Sequence, residues 1–100
     1  MGITYEQENS FRHLECILAT YAEELKAIHD EYILRRGTNE PIILALSEEI
    51  SSLLSRLSAE FRELPPSHAD ATLRMMSDAV ERYKEPVRKI KKDYPLRPAK

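Results

Sequence analysis

The stretch that decides the fold is Ser67–Tyr94, SHADATLRMMSDAVERYKEPVRKIKKDY. Its apolar residues Leu73, Met76, Val80, Tyr83, Val87, Ile90 and Tyr94 stand three and four positions apart in alternation. That spacing keeps one side of an α-helix apolar from end to end. Two further stretches repeat the beat. In one, Phe11, Leu14, Leu18, Tyr21, Leu25, Ile28 and Tyr32 form the seam, with Ile17 and Ala22 widening it toward the breadth that a globular bundle requires. In the other, Ile43, Leu46, Ile50, Leu53, Leu57 and Leu64 form it, with Leu54 and Phe61 on the neighbouring stripe.

The punctuation between these stretches sets the helix boundaries. Thr4 followed three residues later by Gln7 fits a capping box, so the first helix is expected over residues 5–36, with Gly37 as its C-terminal stop. Asn39 can cap the next helix, and Pro41 is tolerated in a first turn, where no intrahelical N–H bond is lost; this helix is expected over 41–64. Pro65-Pro66 ends it. Ser67 is the expected cap of a third helix over 68–94, with Asp70 completing its box. Pro86 lies inside that helix and denies the Arg82 carbonyl its partner, so a kink is expected near it. The seam stays in phase across Pro86, which argues for one bent helix. Residues 95–100 hold two prolines and are expected to fray.

No strand pattern and no sequence repeat interrupt this reading. The chain has 100 residues, and two glycines in the whole of it suit helix. At 1.5 Å per residue the helices are ~36–48 Å long, and their short links force neighbours to be antiparallel. The expected fold is all-α: one domain over residues 1–94, an elongated antiparallel up-down-up three-helix bundle with coiled-coil-like heptad seams. Leu18, Leu25, Leu53, Leu57 and Val80 sit mid-seam and are expected in the core.

Charge is distributed unevenly. Net charge is −2, but residues 1–81 carry 7 Lys/Arg against 15 Asp/Glu, whereas residues 82–100 carry 8 against 2. In an up-down-up bundle Arg35 and Arg36, at the end of the first helix, share a pole with the basic run of the third. Arg35, Arg36, Arg88, Lys89 and Lys92 are therefore the candidate partner- or anion-binding residues. Cations near a helix C-terminus also complement its dipole, and Asp30, Glu31, Glu40, Glu48 and Glu49 fall in the same half, so intramolecular pairing or plain solvation is the competing account. Off the seam, Ile33 and Leu34 together with the heptad-spaced line Ala45, Ser52 and Ala59 form a candidate self-association surface, pointing to a homodimer. The serines at 47, 51, 52, 55 and 58 fall largely outside the seam.

Several chemistries lack their residues. Glu-x-x-His pairs for a di-iron bundle are missing, since Ser10, Lys26 and Pro65 precede His13, His29 and His68 by three. His13 and Cys16 share a helix face but supply only two of the four ligands that zinc requires. Cys16 is the one cysteine, so no disulfide framework exists, and heptad counting places it opposite the seam. The serines lack a glycine elbow, Gly2 and Gly37 are isolated, and His29 flanks the first seam as a boundary residue. The tyrosines at 21, 32, 83 and 94 read as core-edge residues with hydroxyls reaching water. No catalytic, metal-binding or cofactor site is expected.

The longest apolar run, Ile42–Leu46, is far too short to span a bilayer, and the N-terminus lacks signal-peptide regions and the Ser or Thr of a myristoylation site. A cytoplasmic location without membrane contact is expected. The function that remains is a non-enzymatic helical interaction protein, an adapter, chaperone-like binder or inhibitor, whose partner is a protein with an acidic surface. The alternative is a nucleic-acid-associated accessory protein using the basic pole. Aromatic residues are not interleaved with the cations on the outer face, which weakens single-strand binding.

Overall fold

A computed structural model of the chain describes residues 2–36 and 41–95, without the side chains of Arg35 and Arg36. The described residues form three α-helices: α1 over Tyr5–Arg36, α2 over Pro41–Glu63 and α3 over Ala69–Asp93, with a 3₁₀ turn at Pro66–His68 before α3. Strands are absent among them. The expectations placed on Gly37, Asn39 and residues 96–100 lie outside the described residues.

Contacts between the helices show their directions. At one end, Gln7 of α1 donates from Nε2 to Asp70 Oδ1 at the start of α3, 2.9 Å away; at the other, the Tyr32 and Tyr94 rings meet edge to face with centroids 5.2 Å apart. Helices α1 and α3 therefore run parallel. Helix α2 runs against both: Arg62 reaches Glu8, Phe61 meets Phe11, Ser47 reaches Ala22 and Glu49 meets Tyr83. The result is the up-down-up bundle, 53 × 24 × 20 Å along its principal axes.

Helix α1 starts with a reciprocal capping box. The Thr4 hydroxyl accepts from the Gln7 N–H at 3.1 Å, and the Thr4 N–H donates to Gln7 Oε1 at 3.0 Å. This satisfies two of the donors that a helix start leaves without partners. Helix α3 starts differently from the expectation. Ser67 is not its cap, because the ring of Pro66 already holds φ near the helical value and the chain turns one residue early. The 3₁₀ turn is closed by the His68 N–H donating to the Pro65 carbonyl at 2.9 Å, and no side chain caps α3 at His68. Asp70 is engaged by Gln7 across the bundle. Helix α3 then continues through Pro86 as one helix, with Pro86 on its exposed side.

The core is drawn from all three helices. Leu18, Leu25, Ile50, Leu57 and Met76 have no accessible surface, and Phe11, Ile28, Ile43, Phe61 and Val87 have almost none. Leu53 and Val80 depart from the expectation: both are half-buried at the core's edge. For Val80 the reason is the roll of α3. Its buried stripe is Ala69, Thr72, Met76, Ala79, Tyr83 and Val87, which turns the small residues inward and leaves Leu73 and Val80 flanking. Close packing favours a stripe that fits the space between α1 and α2 over the most apolar stripe available. Leu64 is exposed, because α2 ends at Glu63 and Leu64 leaves the helical screw before Pro65.

Ser47 is buried, against the outward placement expected for the serines. Its hydroxyl donates to the Ala22 carbonyl at 2.8 Å, using a lone pair that the α1 backbone bond leaves free. Near the opposite end the Phe11 and Phe61 rings stack with centroids 4.3 Å apart. The Arg62 guanidinium lies over both rings and donates twice to the Glu8 carboxylate, at 2.6 and 2.9 Å. This fork-to-fork pair, held on an aromatic face, is stronger than a single exposed ion pair.

Two outcomes follow from this packing. Leu57→Ala removes a fully enclosed side chain, and thermal or urea denaturation is expected to show a loss of ~2–5 kcal/mol; an unchanged midpoint contradicts this core. Hydrogen bonds from Arg62 hold the Glu8 carboxyl below its ordinary value of 4.5. A depressed folded value contributes stability above the unfolded one, and this is lost as pH falls through the folded value. Glu8→Gln is therefore expected to lower the melting temperature at neutral pH, with the gap to the parent closing as pH drops below 4.5.

Candidate functional site

The Tyr32–Tyr94 contact places the last turns of α1 and α3 side by side. The backbone of Arg35 and Arg36 continues α1 at this pole, while their side chains, with Arg97 and Lys100, lie outside the described residues. The candidate cations on α3 divide into two groups. Arg88 is held by Glu85, one turn back, with Nη2 and Nε at 2.8 and 3.2 Å from one carboxylate oxygen. The hydrogen bond raises the Arg88 pKa and lowers that of Glu85. Lys91 donates to Glu24 of α1 at 2.7 Å, and Arg82 lies over the Tyr83 ring at 6.0 Å. Lys89 and Lys92 are exposed and make no ion pair among the described residues. Together with Glu85, Pro86, Arg88 and Asp93 they line a shallow hollow of about 500 Å³ on the outer face of α3.

Tyr83 carries a further departure from expectation. It is buried, and its hydroxyl donates to Glu49 of α2 at 2.6 Å rather than to water. Burial, then the hydrogen bond to Glu49, pushes its pKa up; burial does the same at Tyr21, with the nearby Glu81 and Glu24 adding to it. Both hydroxyls stay protonated at neutral pH, and that of Tyr83 acts as a structural donor.

The candidate self-association residues are spread along the rod. Ile33 and Leu34 lie in the last turn and a half of α1, Ala45 lies in the first turns of α2, and Ser52 and Ala59 run from there toward the opposite pole. All five are exposed. Ile42 joins the apolar end group at 75% exposure, beside Leu34 at 85%. Its place was readable from the sequence, since a residue one step before the seam position Ile43 points about 100° away from it.

His29 is buried, where a boundary position was expected. Its Nδ1 lies 3.3 Å from Asp30 Oδ1, and its Nε2 has no hydrogen-bond partner. The heptad count placed it beside the seam; in the bundle it is almost fully covered. His13 and Cys16 are both exposed on α1. Among the described residues, no group of three or more His, Cys, Asp or Glu side chains is arranged to hold a metal ion, and no helix is long and apolar enough to cross a membrane.

Helical geometry and charge define a class no narrower than an elongated three-helix bundle with a basic pole. Comparison with protein-family models, with curated proteins and with solved structures finds no match to the chain. The functional reading therefore rests on the residues themselves.

Proposed function

We propose that the protein is a non-enzymatic interaction module, an adapter or binder that docks an acidic protein surface through the basic pole where α1 and α3 end. The observation that carries this reading is the pair Lys89 and Lys92. Neighbouring Arg88 and Lys91 are occupied by Glu85 and Glu24, whereas these two are exposed on α3 without a carboxylate partner among the described residues. The pole also carries bare apolar residues, Leu34 and Ile42. Cations beside exposed apolar surface suit a protein partner, because the apolar contact supplies affinity while the charges steer encounter. A polyanion draws on the cations alone, and the net −8 body of residues 1–81 repels it elsewhere along the rod.

The double substitution Lys89→Glu/Lys92→Glu tests the reading. Exposed charges contribute little stability, so the melting curve is expected to stay within about 1 °C. Association with a fluorescein-labelled, Glu-rich amphipathic helical peptide, followed by stopped-flow anisotropy, is expected to slow at least tenfold at low salt and to lose its salt dependence. The same protein mixed with duplex DNA decides between partner classes. Tight binding whose log affinity falls with log salt by about 0.9 per phosphate contact, flattened by the double substitution, establishes the nucleic-acid reading instead.

A further inference from the structure

The exposed large apolar residues are not scattered. Of the six, Tyr5 and Leu64 lie at one end of the rod and Ile33, Leu34 and Ile42 at the other, with Met75 alone between. Burial has claimed the sides of the bundle and left both ends apolar. The Arg62–Glu8 and Gln7–Asp70 contacts tie the start of α1, the end of α2 and the start of α3 into the first of these poles.

The two poles carry opposite charge. At the first, residues 2–10 and 60–72 hold five Asp/Glu and one Lys/Arg, and that arginine, Arg62, is already spent on Glu8. Glu6 and Glu63 are exposed there. At the second, residues 33–36, 41–44 and 88–95 hold six Lys/Arg and one Asp/Glu, with Lys89 and Lys92 exposed. Each end thus pairs bare apolar side chains with one sign of charge, and the other end presents the complement.

From this we infer that the acidic surface met by the basic pole is the opposite pole of a second copy of this chain, so that the bundles associate end to end. The inference rests on the reading of the basic pole as a docking site for an acidic protein surface. Because the two poles lie at opposite ends of a 53 Å rod, the contact is heterologous: every copy added leaves both kinds of pole open, and short chains form rather than a closed pair. The 24 × 20 Å cross-section offers roughly 400 Å² per partner, about half of the ~800 Å² in a standard stable interface. The association is accordingly weak, reversible and dependent on both concentration and salt.

Sedimentation equilibrium and light scattering on three proteins test this: the parent chain, the Lys89→Glu/Lys92→Glu variant and a Glu6→Lys/Glu63→Lys variant. Circular dichroism first establishes that all three are equally helical. The parent's average mass at low salt is expected to climb with concentration past twice the chain mass of 11.6 kDa and to fall back toward it at high salt. In each variant alone positions 6, 63, 89 and 92 all carry one sign, so like charges meet at the contact and the variant is expected to stay monomeric, while an equimolar mixture restores opposite signs across the contact and regains the assembly. A parent monomeric to millimolar concentration, a mass that stops at the dimer, or a mixture that behaves as the sum of its parts overturns the inference. If in those cases the parent still binds the labelled Glu-rich peptide and the Lys89→Glu/Lys92→Glu variant does not, the basic pole binds acidic protein surfaces and only the second-copy assignment fails; if the peptide is not bound either, both fail.

Discussion

The structure depends on covering one face of α1. That helix is 32 residues long, and its line of Phe11, Leu18, Leu25 and Ile28 must be shielded from water over most of its length. A helix of ~48 Å exposes more apolar surface than one shorter partner shields. Helices α2 and α3 therefore lie along it together, one antiparallel and one parallel, and their own apolar stripes close the triangle. Burying a side chain of this kind contributes ~1.5–3 kcal/mol, and the enclosed leucines and isoleucines recur about every second turn of α1 and α2. Cooperative loss of all three helices is the consequence of such sharing, since none keeps a covered face without the other two.

How closely the helices approach is governed by their small residues. Ala69, Thr72 and Ala79 on α3 and Ala22 and Ser47 between α1 and α2 are buried. Ser47 shows how a polar side chain is accommodated at such a contact: its hydroxyl hydrogen-bonds the opposing backbone instead of water, which removes most of the desolvation cost. His29 is the counterexample, with one ring nitrogen left unpartnered in the interior. The bulk that these small residues give up reappears at the flanks, where Leu53, Leu73 and Val80 are half-covered.

The two ends of the long axis carry opposite charge. Near the basic pole two cations already have carboxylates: Arg88 with Glu85, Lys91 with Glu24. Each such exposed pair contributes ~0–1 kcal/mol, too little to hold the helices together but enough to take those groups out of long-range steering. Exposed Glu6 and Glu63 stand where α1 starts, and exposed Lys89 and Lys92 where α3 finishes. Apolar side chains are left over at the same two places, because the last turn of a helix in a three-helix bundle has no neighbour beyond it.

By itself the sequence determined the helices and their order. The alternating three-and-four spacing from Phe11 to Tyr32 and from Leu73 to Tyr94, the Thr4–Gln7 box and the Pro65-Pro66 stop are local signals, and local backbone geometry reads them directly. Short links then leave antiparallel neighbours as the packing solution, so the bundle and the meeting of the ends of α1 and α3 at one pole were legible too. The roll of each helix was not. Whether Val80 or Ala79 faces inward, whether Ser47 is wet or buried, and whether Ser67 caps α3 turn on rotations of some tens of degrees that periodicity leaves open. Contacts between residues far apart in the chain choose among them by packing volume and hydrogen bonding. The same holds for the candidate site. Sequence placed five cations at one pole, but only the tertiary structure decided that Arg88 is already bound and that Lys89 and Lys92 have no carboxylate partner among the described residues, because a salt bridge is a matter of distance across space and not of spacing along the chain.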